Sequence, residues 1–420
     1  MSAMTAAPPA TGRPGTAVRR VVPLYLAGAT LSLFGNAAIS VALPWLVLAR
    51  TGDLATTGLV ATVAGVAAAP ATLLGGRLAD RFGARRVAVA ADLGSAAAVA
   101  ALGVVDGVWG LTVAWLLALG AAGALFDVPG MSARQSLLGE VARVGGARVD
   151  TVAGAFQAAF SVAFLLGPAL TGLLLSVLDP VDVVWVTAAC STAAAGLTWV
   201  LPVPDPDRAA AGPGSAAGGL AVVRRDPRLR ATLVITCAAA LVTPPLLSVV
   251  LPGHFAELGR PGAYGLVLSL YSVGALAGSA CYALLARRSR PAVYLASIVA
   301  MTGGMVVLAW LGPVPVLAVA MTVLGLGSGL YGPVWNVFVA ESVPLAVRSR
   351  VIAVISAAGL VAGPVGLGVL SLVLAHASLG AGVAAIGGVW VVVGLYAVLS
   401  PGARALAVPP PGGAGGADDR

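Results

Sequence analysis

The chain has 420 residues, of which 59% are hydrophobic and only 10% charged, against about 25% charged in soluble domains. That length would make two or three soluble domains, but hardly any segment is polar enough to cover one, so a water-soluble globular protein is excluded. The net charge of +8 rests on 24 arginines and no lysine; they are scattered over many short segments rather than gathered on one face, which argues against nucleic acid as a partner.

From the N-terminus onward, charge-poor runs of about 20 residues recur, each long enough to cross a ~30 Å hydrocarbon core as a helix. They are continuously apolar, whereas the strands of a membrane barrel would alternate. A helix also satisfies its own backbone where lipid cannot. Residues 1–20 are expected to be a disordered cytoplasmic N-terminus. Six runs follow, at roughly 21–48, 55–76, 84–105, 109–129, 151–176 and 181–201. The stretch 202–230, opening Pro202-Val203-Pro204-Asp205-Pro206-Asp207-Arg208, is rich in proline, glycine, alanine and arginine and reads as a flexible linker. Six more runs lie at roughly 231–252, 262–285, 291–311, 315–338, 350–375 and 379–400. The tail 401–420, with Pro409-Pro410-Pro411-Gly412-Gly413, is again expected to be disordered. The chain is therefore predicted to be an all-α membrane protein, with a six-helix bundle over 21–201 and a second over 231–400.

Arginine placement sets the orientation, because cytoplasmic loops retain positive charge. With the N-terminus inside, twelve crossings leave only Arg50 and Arg260 outside, and every other arginine, Arg134 included, is counted as cytoplasmic. One helix more or fewer would scramble that pattern. Cys190, Cys237 and Cys281 sit inside apolar runs without metal-ligand spacing, and no metal or cofactor site is expected. His254 and His376 fall near outer helix ends and read as interfacial. No phosphate-cradling loop is found, so neither an enzyme nor a directly ATP-driven pump is expected.

The most informative motif joins the second and third runs: Gly76-Arg77-Leu78-Ala79-Asp80-Arg81-Phe82-Gly83-Ala84-Arg85-Arg86. It packs an acid, two glycines and four arginines into a tight turn between two apolar segments. This string resembles the signature loop of the major facilitator superfamily of transporters, departing from it at Ala84, where a basic residue is usual. Arg287-Arg288-Ser289-Arg290-Pro291 stands where the second half would repeat it, basic but without the acid. Internal symmetry also shows in Gly167-Pro168-Ala169-Leu170-Thr171-Gly172 of the fifth run and Gly363-Pro364-Val365-Gly366-Leu367-Gly368 of the eleventh, as parallel repeats require. The stretches 42–52 and 133–140 are similar to the branch of that superfamily holding enterobactin and macrolide exporters.

The resemblance implies twelve transmembrane helices in two pseudo-symmetric six-helix bundles. It implies a gating role for Gly76, Asp80, Arg81, Gly83, Arg85 and Arg86, with Asp80 contacting the eleventh span; the plainer reading of the arginines is that they only mark topology. Gly167, Pro168, Gly363 and Pro364 are candidate helix-bending positions, the first pair resembling the antiporter motif of exporters. Asp92 and Asp127 fall inside predicted spans, where an ionisable group is a functional candidate by default; a charge network and proton carriage both fit them. A central cavity between the first, fourth, seventh and tenth spans is implied, with Asn36, Trp115, Thr243, Tyr331 and Trp335 as lining candidates, although each also suits helix packing. Pro244-Pro245 is expected to break the seventh span there.

No arginine falls at the middle of a run, so a tightly held anion is a poor substrate and an amphipathic molecule a better one. The sequence thus reads as a secondary transporter, a monomer in a bacterial cytoplasmic membrane with both termini inside, exporting a small amphipathic drug, antibiotic or siderophore against inward protons. An importer or facilitator of a small metabolite, and a non-transporting receptor or assembly protein on the same fold, are the alternatives.

Overall fold

The computed structural model describes residues 16–203 and 216–407, and the expected disorder of the two chain ends and most of the linker's proline-rich part lie outside the described residues. Among the described residues, twelve helices are long and apolar enough to cross a membrane. The spans of the first half are Arg20–Thr51, Leu54–Thr72, Ala84–Val108, Val113–Val144, Val149–Val177 and Pro180–Trp199; those of the second are Pro227–Glu257, Pro261–Tyr282, Arg290–Ala309, Val314–Ser342, Arg350–His376 and Leu379–Leu399. They are numbered one to twelve below. Several helices run on past the expected boundaries, the second to Phe82 and the fourth to Val144.

Twelve crossings bring the start of the first span and the end of the twelfth to one face of the bundle, here the terminal face; the opposite one is the far face. Within the first half, span one packs on five and six, span four on two and three, and span three on six. Within the second half, span seven packs on eleven and twelve, span ten on eight and nine, and span nine on twelve. Each pairing in one half has its counterpart six spans on, which is the pseudo-twofold relation of the two bundles. The halves meet along two seams, spans two and eleven and spans five and eight, and these exchange under the same relation.

Local chemistry explains the turns. Gly83 alone separates the second and third helices, with φ of 91°, a backbone region closed to most L-residues but open to glycine. Asp53 caps the second helix by accepting from the backbone N–H groups of Ala55 and Thr56; the Thr56 hydroxyl, which also donates to it, is the largest cause holding its carboxyl below the usual range, with those backbone contacts adding to it. Span seven does not break at Pro244-Pro245. It continues as a π-helical turn over Leu246–Val250, because a wider turn passes the rings without ending the helix. The linker also departs from a plain flexible connector: Ala216–Arg225 is helical and packs on the eleventh span, with Val223 buried. Residues 16–20 and 401–407 are helical as well.

Candidate functional site

The seams are tightest toward the far face. On the five–eight seam a methyl on Gly265 would overlap the Pro168 carbonyl, and a Cβ on Gly172 would lie 2.7 Å from the Pro261 oxygen and 2.8 Å from the Gly265 Cα. On the two–eleven seam a Cβ on Gly65 would lie 2.8 Å from the Pro364 ring, and the Ser371 hydroxyl donates to the Ala55 carbonyl at 2.6 Å. Pro168 and Pro364 thus occupy equivalent places, each facing a glycine of the other half. Gly167 lets the fifth span lie against Ala37, whereas Gly363 faces the Ala240 carbonyl at a looser 3.6 Å. Small residues are what allow backbones to come this close.

Below the closed end of the five–eight seam lies a cavity of about 670 Å³. Phe160, Phe164 and Pro168 line it from span five, and Leu268, Tyr271 and Ser272 from span eight. Ser40 of span one and Leu247 and Ser248 of span seven complete its wall, and Gln157 and Ser279 are exposed toward the terminal face. The π-turn contributes directly: its Leu247 carbonyl accepts from the Tyr264 hydroxyl at 2.9 Å, so a backbone group left out of the regular ladder is satisfied at the cavity wall. The Ser272 hydroxyl donates across the seam to the Phe164 carbonyl at 2.9 Å.

None of the five cavity candidates is among these lining residues. Asn36 comes nearest, one helical turn from Ser40 on the same face and partly exposed. Trp115 sits at the far-face end of the fourth span, 41% exposed and stacked on Trp109 at 6.4 Å, as interfacial tryptophans do. Thr243 is partly buried in span seven just before the paired prolines. Tyr331 packs beside Tyr294 and Trp335 beside Phe338, inside the second bundle. The signal for the actual lining was in register: Gln157, Ser161, Phe164 and Pro168 recur at helical spacing along one face of the fifth span.

The buried charges form a separate cluster in the first half. Asp92 accepts from the Ser32 hydroxyl at 2.8 Å and from the Arg134 guanidinium. Arg134 also donates to the Thr198 hydroxyl at 3.0 Å, while its carbonyl accepts from Tyr25 at 2.8 Å. Arg134 is 2% exposed, so it is a core residue and not the cytoplasmic loop marker its sequence position suggested. The physical reason is that the fourth helix does not stop near residue 129: Arg134, Leu137 and Val141 continue one buried face. Asp127, also on span four, neighbours Ser95 and Asp92, with no ion pair among the described residues.

In the signature loop, Asp80 is exposed and makes no hydrogen bond or ion pair among the described residues. Arg81 lies over the Phe82 ring at 5.3 Å, Arg85 donates to the Leu201 carbonyl at 2.8 Å, and Arg86 is exposed. Gly76 lies within the second helix. No group of three or more His, Cys, Asp or Glu residues fit for a metal is found among the described residues.

Twelve spans, two halves related by a pseudo-twofold and a cavity on the seam between them define the architecture of a membrane transporter. The sequence profile of the Major Facilitator Superfamily matches residues 25–256 and 246–417, and the chain belongs to that family. It is 33% identical over 393 residues to the multidrug efflux pump Tap of Mycolicibacterium fortuitum, covering 91% of this chain and 96% of that one. The multidrug efflux pump Tap of Mycobacterium tuberculosis is 32% identical over 399 residues, covering 92% and 95%. Among solved structures, the nucleoside transporter NupG superposes with a TM-score of 0.72 at 16% identity over 92% of this chain and 98% of that one. A D-xylose-proton symporter does so with 0.64 at 17% identity over 91% and 97%. The expected family, fold and non-enzymatic character agree with these findings.

Proposed function

We propose that this chain is an efflux transporter for small amphipathic compounds, a monomer in a bacterial cytoplasmic membrane with both termini inside, driven by inward proton flow through alternating access. The observation that carries this reading is the asymmetry of the seams: both are sealed toward the far face, while between spans five and eight a mid-depth cavity lies on the terminal side of those contacts, with exposed Gln157 and Ser279 at its terminal end. With the arginine-rich terminal face in the cytoplasm, such a conformation admits a molecule from inside the cell. Similarity to proteins named multidrug efflux pumps supports export over import.

Two acids take different parts in this reading. Asp92 is held by Arg134 and Ser32, an arrangement suited to structure. Asp127 has no arginine partner among the described residues and is the candidate proton carrier. Asp80 is the gate: without a partner among the described residues in the present conformation, it would meet the eleventh span when the terminal side closes, where helix-end N–H groups favour a carboxylate. The test is accumulation of a fluorescent amphipathic dye in a pump-deficient bacterial host, with and without a protonophore. Lowered accumulation that the protonophore restores is expected, and Asp127→Asn should abolish that proton dependence. Raised accumulation with the protein present would overturn export.

A further inference from the structure

We propose that the cavity between the fifth and eighth spans selects uncharged aromatic molecules that donate hydrogen bonds, and discriminates against cations. This inference rests on the export reading above and names the substrate class of that site.

The cavity wall has already committed most of its hydroxyl protons. The Ser40, Ser161, Ser272 and Ser279 hydroxyls donate to the carbonyls of Ala37, Gln157, Phe164 and Gly329 at 2.7, 3.0, 2.9 and 3.1 Å. The Tyr271 hydroxyl donates to Ser328 at 3.0 Å. A hydroxyl has one proton and two lone pairs, so what these groups still offer a guest is acceptor capacity. The wall therefore complements O–H and N–H donors and has little to give a guest that only accepts. The Gln157 amide and the Ser248 hydroxyl, which make no hydrogen bond among the described residues, supply the remaining donors.

Charge is the second selector. Among the described residues the lining holds no Asp, Glu, Lys, Arg or His, and the buried acids of the first half belong to spans three and four. A cation entering would shed water without meeting a counter-charge, which is costly in a low-dielectric site. Aromatic faces attract cations only modestly by comparison. Those faces suit a flat apolar guest instead: Phe160 and Phe164 stack at 4.6 Å with 22° between their planes, and Pro168 and Leu268 extend the apolar wall. A volume of about 670 Å³ lies within the range of small-molecule sites.

The test uses the purified full-length chain in lipid nanodiscs and three fluorescent probes on one skeleton: a dihydroxynaphthalene, its dimethoxy derivative, and a derivative bearing a trimethylammonium group. Fluorescence polarisation against empty nanodiscs reads binding. The dihydroxy probe is expected to bind, the dimethoxy probe at least about tenfold more weakly, and the ammonium probe no better than to empty discs. Ser40→Ala with Ser161→Ala, whose hydroxyls bond only within their own helices, should weaken the dihydroxy probe about tenfold and leave the melting temperature and the dimethoxy probe unchanged; should that pair misfold, each single variant tests the same wall. Equal affinity for the dihydroxy and dimethoxy probes, or tighter binding of the ammonium probe, would overturn the proposal. Transport of the same probes in energised inside-out vesicles separates the two readings. Export of the ammonium probe alone sinks the selectivity and leaves export standing, whereas selective binding of the dihydroxy probe without any transport sinks export and leaves the selectivity.

Discussion

The two bundles share a topology and differ in what holds them together. In the first half, the most deeply buried charged side chains among the described residues, Asp92 and Arg134, tie spans three and four to Ser32 of span one and Thr198 of span six. The second half has no such pair among the described residues. Its eighth and tenth spans are zipped backbone to backbone, Gly274 and Gly278 against the carbonyls of Thr322 and Leu326, and Gly325 and Gly329 against those of Tyr271 and Ala275. The same difference appears in the two basic turns, where the first keeps Asp80 and the second, Arg287-Arg288-Ser289-Arg290, has no acid. One fold can thus be stabilised by a polar lock or by close packing. The polar solution sits in the half that also carries Asp80 and Asp127.

Breaking the polar lock should have the largest effect. Arg134→Met leaves Asp92 buried without its guanidinium, a change that typically costs about 3–5 kcal/mol, and should sharply reduce the folded protein recovered in detergent. Pairing it with Asp92→Leu removes the stranded charge and should restore most of the melting temperature. If the single variant melts like the parent, the first half does not depend on its charge pair, and the contrast between the bundles falls.

The seams give the next largest effect. Gly265→Val drives a side chain into the Pro168 carbonyl and should cut dye export by more than about tenfold while protein still reaches the membrane, since larger groups in such a contact force the helices apart. Gly65→Val meets the flexible edge of the Pro364 ring at 2.8 Å rather than backbone and should be the milder of the two. The reverse order would mean that the two–eleven seam is the tighter seal. Asp80→Asn should lose most export with an unchanged melting temperature, because the carboxylate is exposed and unpaired among the described residues; normal export would remove it as a gate.

Much of the architecture was legible because membrane physics writes it in composition: long apolar runs, a charged turn after the second, and arginines on alternate loops. Gly83 could be placed as a turn residue from its motif alone, and its φ of 91° supplies the reason. Arg134 could not be placed, because a positive-inside count treats every arginine past a run as solvated, whereas the helix carried this one back into the core beside Asp92. The lining of the five–eight cavity went unnoticed for a related reason. Bulky residues such as Trp115 and Trp335 draw attention, but they fill the interface and the bundle interior. The residues that face the open seam mix serines with Phe160, Phe164 and Leu268, and only the tertiary pairing of spans five and eight reveals what their common face is for.

The smallest expected effect lies at the far face, where the halves differ again. Arg50, at the end of the first span, makes a two-pronged contact with Asp106 at 2.9 and 2.8 Å and reaches Asp179 at 3.2 Å. Asp179 also caps the sixth helix by accepting from the Val181 N–H at 3.0 Å. One side chain thus gathers the ends of spans one, three and six, and no ion pair at that face ties the second half among the described residues. The groups are partly exposed, Arg50 by 29% and Asp179 by 54%, so water and salt screen them, and pairs of this kind contribute about 1 kcal/mol or less. Arg50→Gln should therefore lower the melting temperature by only a few degrees, a difference that shrinks as salt is raised. Arg260→Gln, at the same face of the second half, should change nothing measurable. If the Arg260 variant proves as costly as the Arg50 variant, ionic bracing is common to both bundles, and the division between a polar half and a close-packed half would need to be redrawn.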